Sequence, residues 1–114
     1  MITEEQIQQA VDILVREANP LKVILFGSHA RGDARENSDV DFLVIEREVP
    51  HKNAEMVRLQ RALSPSRINA DVLVASEEYT LSSWAGFPGT YLYDALREGK
   101  VMYAVDGAGV PVAA

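Results

Sequence analysis

The chain has 114 residues, of which 47% are hydrophobic and 25% are charged, and its net charge at pH 7 is −6. This length suits one compact domain with a sizeable core. The acidic balance disfavours direct DNA binding, because proteins that bind a nucleic-acid backbone usually present a basic face. The absence of cysteine excludes a disulfide framework and a thiolate metal site.

The sequence also indicates where the protein works. No apolar run approaches the roughly 18 residues that a membrane span requires. The N-terminal stretch MITEEQIQQA is acidic and amphipathic, which is unlike a signal peptide. A chain without cysteine fits a reducing compartment, so we expect a cytoplasmic protein with no membrane partner.

The first two predicted elements are a helix and a buried strand. Apolar residues recur at helical spacing over 3–18, Thr3 and Gln6 form a capping box, and Asn19-Pro20 ends the segment. The next run, VILF at 23–26, is short and continuously apolar. That pattern is typical of a strand covered on both faces.

The later elements alternate in the same way. Ser76 is expected to cap a helical segment that continues to residue 84. Further helices are predicted at 29–34, 54–63 and 90–98, strands at 40–45 and 70–75, and a short edge strand at 101–103. This order predicts an α/β (α+β) domain over residues 1–105, with a small mixed β-sheet flanked by helices. Residues 106–114 are small and contain glycine and proline, which predicts a flexible tail.

Two aspartates, Asp39 and Asp41, stand at the head of the second strand. Alternate residues of a strand face the same side, so the two carboxylates project together and repel each other unless a cation lies between them. If the third strand is adjacent, Asp71 would complete a three-carboxylate cluster. Mg²⁺ prefers carboxylate and phosphate oxygens, and such a cluster can hold two ions, as in polymerase-type phosphoryl transfer.

A possible anion site faces these carboxylates. Gly27 and Ser28 follow the first strand and precede the predicted short helix. Backbone N–H groups at a helix start can hold an anion, glycine permits close approach to a phosphate, and the serine hydroxyl adds a donor. This arrangement is where a nucleoside triphosphate would sit.

Each feature taken alone has a more ordinary interpretation. An Asp-x-Asp pair is usually a solvated strand end, a Gly-Ser pair is usually a turn, and Asp71 by itself is more often a strand-start residue. Arg31 either reaches a phosphate or pairs with an acid such as Asp33, and the structural role is favoured. His29 and His51 lack metal-ligand spacing and are interpreted as surface residues.

The combination resembles a known family. Gly27-Ser28 followed after ten residues by DVD at 39–41 resembles the signature of the polymerase-β-type nucleotidyltransferase superfamily. The surrounding LFGSHARGDARENSDVDFLV is similar to its minimal branch, the MNT-type antitoxins. The resemblance is strongest over residues 21–45 and continues more weakly through Asp71 and YDALREGKVMY.

The resemblance implies a polymerase-β-like fold and a role for each site residue. Gly27 and Ser28 would contact the triphosphate, and Arg31 matches a recurrent basic position. Asp39 and Asp41 would bind two Mg²⁺ ions when a nucleotide is bound. Asp71 would bind the ion at the attacking hydroxyl and help to deprotonate that hydroxyl.

The resemblance also implies a partner. Relatives of this kind are expected to transfer AMP from ATP, or a nucleotide from another NTP, to a hydroxyl on a HEPN-domain toxin. A non-catalytic antitoxin that occludes the toxin is the alternative, and transfer to a small molecule such as an antibiotic is less favoured. Four aromatic residues either face the partner or pack in the core: Trp84, Phe87, Tyr91 and Tyr93.

Overall fold

The computed structural model describes residues 2–81 and 90–112. Within these ranges the helices are α1 (Glu4–Ala18), α2 (Ser28–Arg31), α3 (Lys52–Leu63), α4 (Glu77–Thr80) and α5 (Tyr91–Glu98). The strands are β1 (Lys22–Phe26), β2 (Val40–Glu46), β3 (Ala70–Ser76), β4 (Lys100–Val105) and β5 (Pro111–Val112), and a 3-10 turn follows α3. No helix in the described part of the chain is long and apolar enough to cross a membrane.

The strands form one mixed sheet in the order β3-β2-β1-β4-β5. Strand β1 runs antiparallel to both β2 and β4, and β2 runs parallel to β3. The predicted fold class, a small mixed sheet flanked by helices, is therefore confirmed. The expectation that 101–103 forms an edge strand is wrong, because β5 pairs with the outer side of β4.

Helices cover both faces of the sheet, which explains the continuous apolar runs of β1 and β2. Alternate residues of these strands, such as Val23, Leu25 and Phe42, pack with α1 and α3 in one core. The intervening residues Ile24 and Leu43 pack with α5 in a second core. Successive side chains along each strand thus fill different cores, so both faces of each strand are apolar.

Local signals account for several helix boundaries. The predicted capping box is present: Gln6 N donates to Thr3 Oγ1 at 3.1 Å and Thr3 N donates to Gln6 Oε1 at 2.9 Å. Helix α2 stops earlier than predicted, because Gly32 adopts a left-handed φ of 85° and terminates it. The expected Ser76 cap is also found, since Ser76 Oγ accepts from Tyr79 N at 3.1 Å.

The C-terminal part differs from the sequence-based expectation in two places. Helix α4 ends at Thr80, and Trp84 and Phe87 lie outside the described residues. The segment expected to be a flexible tail contains β5, and Asp106 Oδ1 accepts hydrogen bonds from Ala108 N and Val110 N at 2.8 and 3.0 Å. These bonds form the turn that carries the chain back onto β4.

Candidate active site

The site lies where the end of β1 meets the starts of β2 and β3. Because β1 is antiparallel to β2, Phe26 stands opposite Asp41. Because β2 is parallel to β3, Asp41 stands opposite Asp71. Directly opposing residues of neighbouring strands project to the same face. Phe26, Asp41 and Asp71 therefore form one row across the sheet, and Asp39 lies just before β2.

Gly27 closes this row on one side, directly against Asp41. Its backbone (φ 76°, ψ −155°) lies in a region that is essentially restricted to glycine. A Cβ added at Gly27 would lie 2.3 Å from Asp41 Oδ2. Glycine is thus required twice here, for the turn and for the close approach of the carboxylate.

The Gly-Ser turn leads directly into α2. Gly27 O accepts hydrogen bonds from Ala30 N at 3.1 Å and Arg31 N at 3.0 Å, and Ser28 O accepts from Gly32 N at 3.0 Å. These bonds fix the short helix immediately after the turn. Half-buried Ser28 is therefore held beside the glycine that contacts Asp41.

The carboxylates interact electrostatically. Burial raises the pKa of Asp41 above its usual value, and the nearby charges of Asp71 and Asp39 raise it further. His29 and Arg31 act in the opposite direction and lower the pKa. The ionised form of Asp41 is therefore disfavoured by burial and by its acidic neighbours.

The donor chemistry of this cluster suits a hard divalent cation. Within residues 2–81 and 90–112, however, no three Asp, Glu, His or Cys side chains stand in an arrangement that could hold a metal ion. Asp39 and Asp71 are exposed, so rotation of their side chains meets little packing resistance. A three-ligand site would therefore need side-chain rearrangement, while the backbone positions already converge.

Arg31 makes ion pairs at the rim of the site. Its Nε lies 3.3 Å from Asp33 Oδ2 and its Nη1 lies 3.8 Å from Glu98 Oε2. The pairing with Asp33 is the structural role favoured on sequence grounds. Both pairs are solvent-exposed and contribute little to stability, so Arg31 can exchange these partners for another anion.

A groove of about 640 Å³ opens beside Asp41 and Asp71. Its lining comes from α3 and from strands β1, β2 and β3, and it combines apolar side chains with the two carboxylates and two amides. The lining residues are Phe26, Asp41, Asn53, Met56, Val57, Gln60, Asp71, Val72 and Leu73. The groove gives a reacting group access to the carboxylates from the α3 side.

Two residues near the site were not singled out from the sequence as contributors to its geometry. His29 Nε2 donates to Ser38 O at 3.2 Å, which ties α2 to the residue before Asp39. Gln60 bonds the backbone on both sides of Asp71. No periodic signal marks such residues, because their partners are loop or strand backbone groups at separations that depend on the fold.

The chain is similar to known nucleotidyltransferases over most of its length. The model of the family described as "Polymerase beta, Nucleotidyltransferase" matches residues 8–107. A Methanocaldococcus jannaschii protein named "Putative protein adenylyltransferase" is 41% identical over 54 residues, which cover 47% of this chain and 54% of that protein. The chain therefore spans about half the length of this relative.

Two solved structures share the fold. A crystal structure of a toxin–antitoxin with AMP-PNP superposes with a TM-score of 0.62 at 20% identity, covering 90% of this chain and 77% of that chain. A crystal structure of a variant of the toxin–antitoxin MntA–HpeT gives a TM-score of 0.61 at 18% identity, with coverages of 90% and 77%. At these identities the likeness establishes the architecture alone.

Proposed function

The chain belongs to the polymerase β nucleotidyltransferase family, and from this premise we propose that it transfers a nucleoside monophosphate, AMP from ATP, to a hydroxyl on a partner protein. The observation that carries the proposal is the placement of Asp41 opposite Asp71 and against Gly27. Carboxylates can hold the divalent cations that neutralise a triphosphate, so this arrangement suits transfer of a nucleotidyl group. Positioning and charge neutralisation dominate this chemistry.

Each site residue has a distinct role in the proposed reaction. Gly27 and Ser28 bind the triphosphate of the nucleotide, and Arg31 exchanges its exposed ion pairs for phosphate oxygens. Asp71 orients the acceptor hydroxyl and accepts its proton as the oxygen attacks the α-phosphorus and pyrophosphate leaves. The groove beside Asp71 gives the acceptor its approach.

Asp39, Asp41 and Asp71 would hold divalent metal ions. Two Mg²⁺ ions, when bound, would neutralise charge on the triphosphate and lower the pKa of the acceptor hydroxyl. The all-oxygen donor set is the one these ions prefer. The three carboxylates repel one another, and this repulsion adds to burial in raising the pKa of Asp41. Cations bound between the carboxylates would relieve the repulsion.

A HEPN-domain toxin is the proposed partner that supplies the hydroxyl. Two features support a protein acceptor. One relative bears the name of a protein adenylyltransferase, and two structural neighbours are toxin–antitoxin proteins. In this proposal the chain is the antitoxin, and nucleotide transfer inactivates the toxin.

The test is transfer of label from nucleotide to protein. The chain is incubated with Mg²⁺, ATP labelled at the α-phosphate and the protein product of the gene next to its own. We expect labelled partner protein, with the label lost for Asp39→Asn and Asp41→Asn. Asp12→Asn, on the exposed surface of α1, is the matched control and should transfer normally.

Two results would contradict the enzymatic proposal. If the wild-type chain binds the partner tightly but transfers no label from α-labelled ATP, GTP, CTP or UTP, the chain acts as an occluding antitoxin. If label instead appears on an added aminoglycoside and never on protein, the acceptor is a small molecule. Where the wild-type chain does transfer label, Asp71→Asn should keep nucleotide affinity and slow transfer, and unchanged turnover would show that Asp71 is only structural.

A further inference from the structure

The outer edge of β3 is paired by a side chain. Strand β3 stands at one end of the sheet order, so its outer peptide groups face no neighbouring strand of the described sheet. The Gln60 side chain of α3 bonds two of these groups: its Nε2 donates to Ala70 O, and its Oε1 accepts from Val72 N at 3.2 Å. The amide thus substitutes for a short piece of a sixth strand.

These two bonds lie on either side of Asp71 along β3, at Ala70 and at Val72. On the inner edge, Val40 N donates to Asn69 O at 2.9 Å. Peptide groups alternate in direction along a strand, so those of Asp71 point towards β2, whereas those of Ala70 and Val72 point outward. The Asp71 backbone is therefore held by β2 on one side and by Gln60 on the other.

Apart from these two hydrogen bonds, nothing described around Gln60 requires a glutamine side chain. The residue is exposed and is not a member of either buried cluster of the described chain. It lines the same groove as Asp41 and Asp71. Its polar contacts in the described part of the chain are the two backbone bonds that flank Asp71.

We propose that Gln60 is a positioning residue that fixes the segment of β3 carrying Asp71, and thereby sets the relation of Asp71 to Asp41. The inference rests on the proposed function, because it assigns Gln60 a part in the same reaction. Such groups matter because a catalytic constellation must be held within about 0.5 Å of its productive geometry. Losing a group that orients a ligand typically lowers activity or metal affinity by about 10–100-fold.

A purely protective role is the rival explanation. Exposed edges of sheets pair with other chains unless they are covered, and the Gln60 amide covers part of this edge. In that case, loss of the amide would cause association and leave the chemistry of the monomer unchanged. The two roles therefore differ in what they predict for monomeric protein.

The experiment compares Gln60→Leu, which removes both bonds, with Gln60→Glu, which keeps the acceptor for Val72 N but loses the donor to Ala70 O. Gln8→Leu is the matched control, since Gln8 is an exposed helical glutamine whose side chain donates to Asp12 Oδ1 at 3.0 Å, away from the site. For each monomeric variant we measure amide exchange at Val72, Mn²⁺ affinity, and kcat and KM for transfer.

We expect Gln60→Leu to accelerate exchange at Val72 and to lower kcat and Mn²⁺ affinity about tenfold, with the KM for nucleotide within about twofold. Amide exchange at Val72 should be slower in Gln60→Glu than in Gln60→Leu, while the kcat of Gln60→Glu is still below that of wild type. This variant replaces Gln60→Leu in the test if the leucine variant fails to fold. Unchanged kcat and Mn²⁺ affinity in the monomeric fraction of Gln60→Leu would overturn the proposal, whether or not the rest of the protein dimerises. If wild-type protein transfers no nucleotide, the proposed function fails, and Mn²⁺ affinity alone decides the role of Gln60.

Discussion

Asp41 and Asp71 occupy directly opposing positions on the parallel strands β2 and β3. Two carboxylates in one row of a sheet destabilise each other, since like charges directly opposite repel. Burial and this repulsion together raise the pKa of Asp41. The two carboxylates thus lower the stability of the fold at the place where the proposed chemistry needs negatively charged oxygens. We therefore expect a trade-off between stability and activity at this pair.

Replacement of Asp41 should reveal that trade-off. A raised native-state pKa means that wild-type protein loses stability as pH rises from the usual aspartate range through that pKa. Asp41→Asn removes the ionisation and should be more stable than wild type at pH 7, with the difference vanishing in acid. Transfer should fall by more than about 100-fold. Denaturant unfolding at several pH values, together with the label-transfer assay, checks both effects. A variant that is less stable at pH 7 would contradict the electrostatic argument.

Gly27→Ala should damage both the fold and the site. The substitution introduces the backbone strain of a glycine-only region, about 1–3 kcal/mol, and adds the contact with Asp41 Oδ2. Gly32→Ala is strained by its φ of 85° but meets nothing within 4 Å, and Gly107→Ala also meets nothing within 4 Å. In urea unfolding, the free energy of unfolding should fall most for Gly27→Ala, less for Gly32→Ala and least for Gly107→Ala. If Gly27→Ala and Gly32→Ala lose the same amount and both retain transfer, the contact with Asp41 is unimportant.

Glu46, at the opposite end of β2, should control how stability depends on pH. Burial raises its pKa to about 8, and its hydrogen bond with Glu55 and the charge of Glu55 add to this. Arg58 Nε pairs with Glu55 at 2.7 Å and keeps the pKa of Glu55 low. Glu46 thus holds the proton, and one of its oxygens, Oε2, is buried without a hydrogen-bond partner among the described residues.

The sign follows from linkage. A carboxyl with a raised native pKa contributes stability that is fully present below about pH 4.5 and is lost as pH rises towards about 8. We expect the free energy of unfolding to fall across this window and to fall less in Glu46→Gln. Glu48→Gln, at an exposed neighbouring position, should keep the wild-type slope. Thermal unfolding from about pH 4 to about pH 9 tests this, and equal slopes in wild type and Glu46→Gln would refute it.

His29 should matter more than the other histidine. Its bond to Ser38 O ties α2 to the segment before Asp39, and one such hydrogen bond contributes about 0.5–1.5 kcal/mol. His29→Ala should lose about that much stability and accelerate amide exchange at Asp39. His51→Ala, at an exposed loop position, should stay within about 0.5 kcal/mol. Equal effects of the two substitutions would show that the His29 bond does not hold the loop.

The elements themselves were largely predictable. The capping box of Thr3 and Gln6, the apolar run of β1 and the heads of β2 and β3 are local patterns, and each forms at or near its predicted position. They depend on neighbours within a few residues. The same local character explains why Gly27, Ser28, Asp39 and Asp41 could be selected from the order of the residues alone.

The sequence by itself determined most of the helices and strands and the positions of the acidic residues and of the Gly-Ser pair. Propensity, capping and periodicity depend on residues that are close together in the sequence. Only the tertiary structure decided that β3 runs parallel beside β2, which sets Asp71 opposite Asp41, and that the Gln60 amide closes the edge around it. It also made β4 an interior strand. Strand order and direction depend on contacts between residues that are distant in the sequence. Local patterns are compatible with several ways of pairing the strands, and the pairing that buries both faces of the sheet is the stable one.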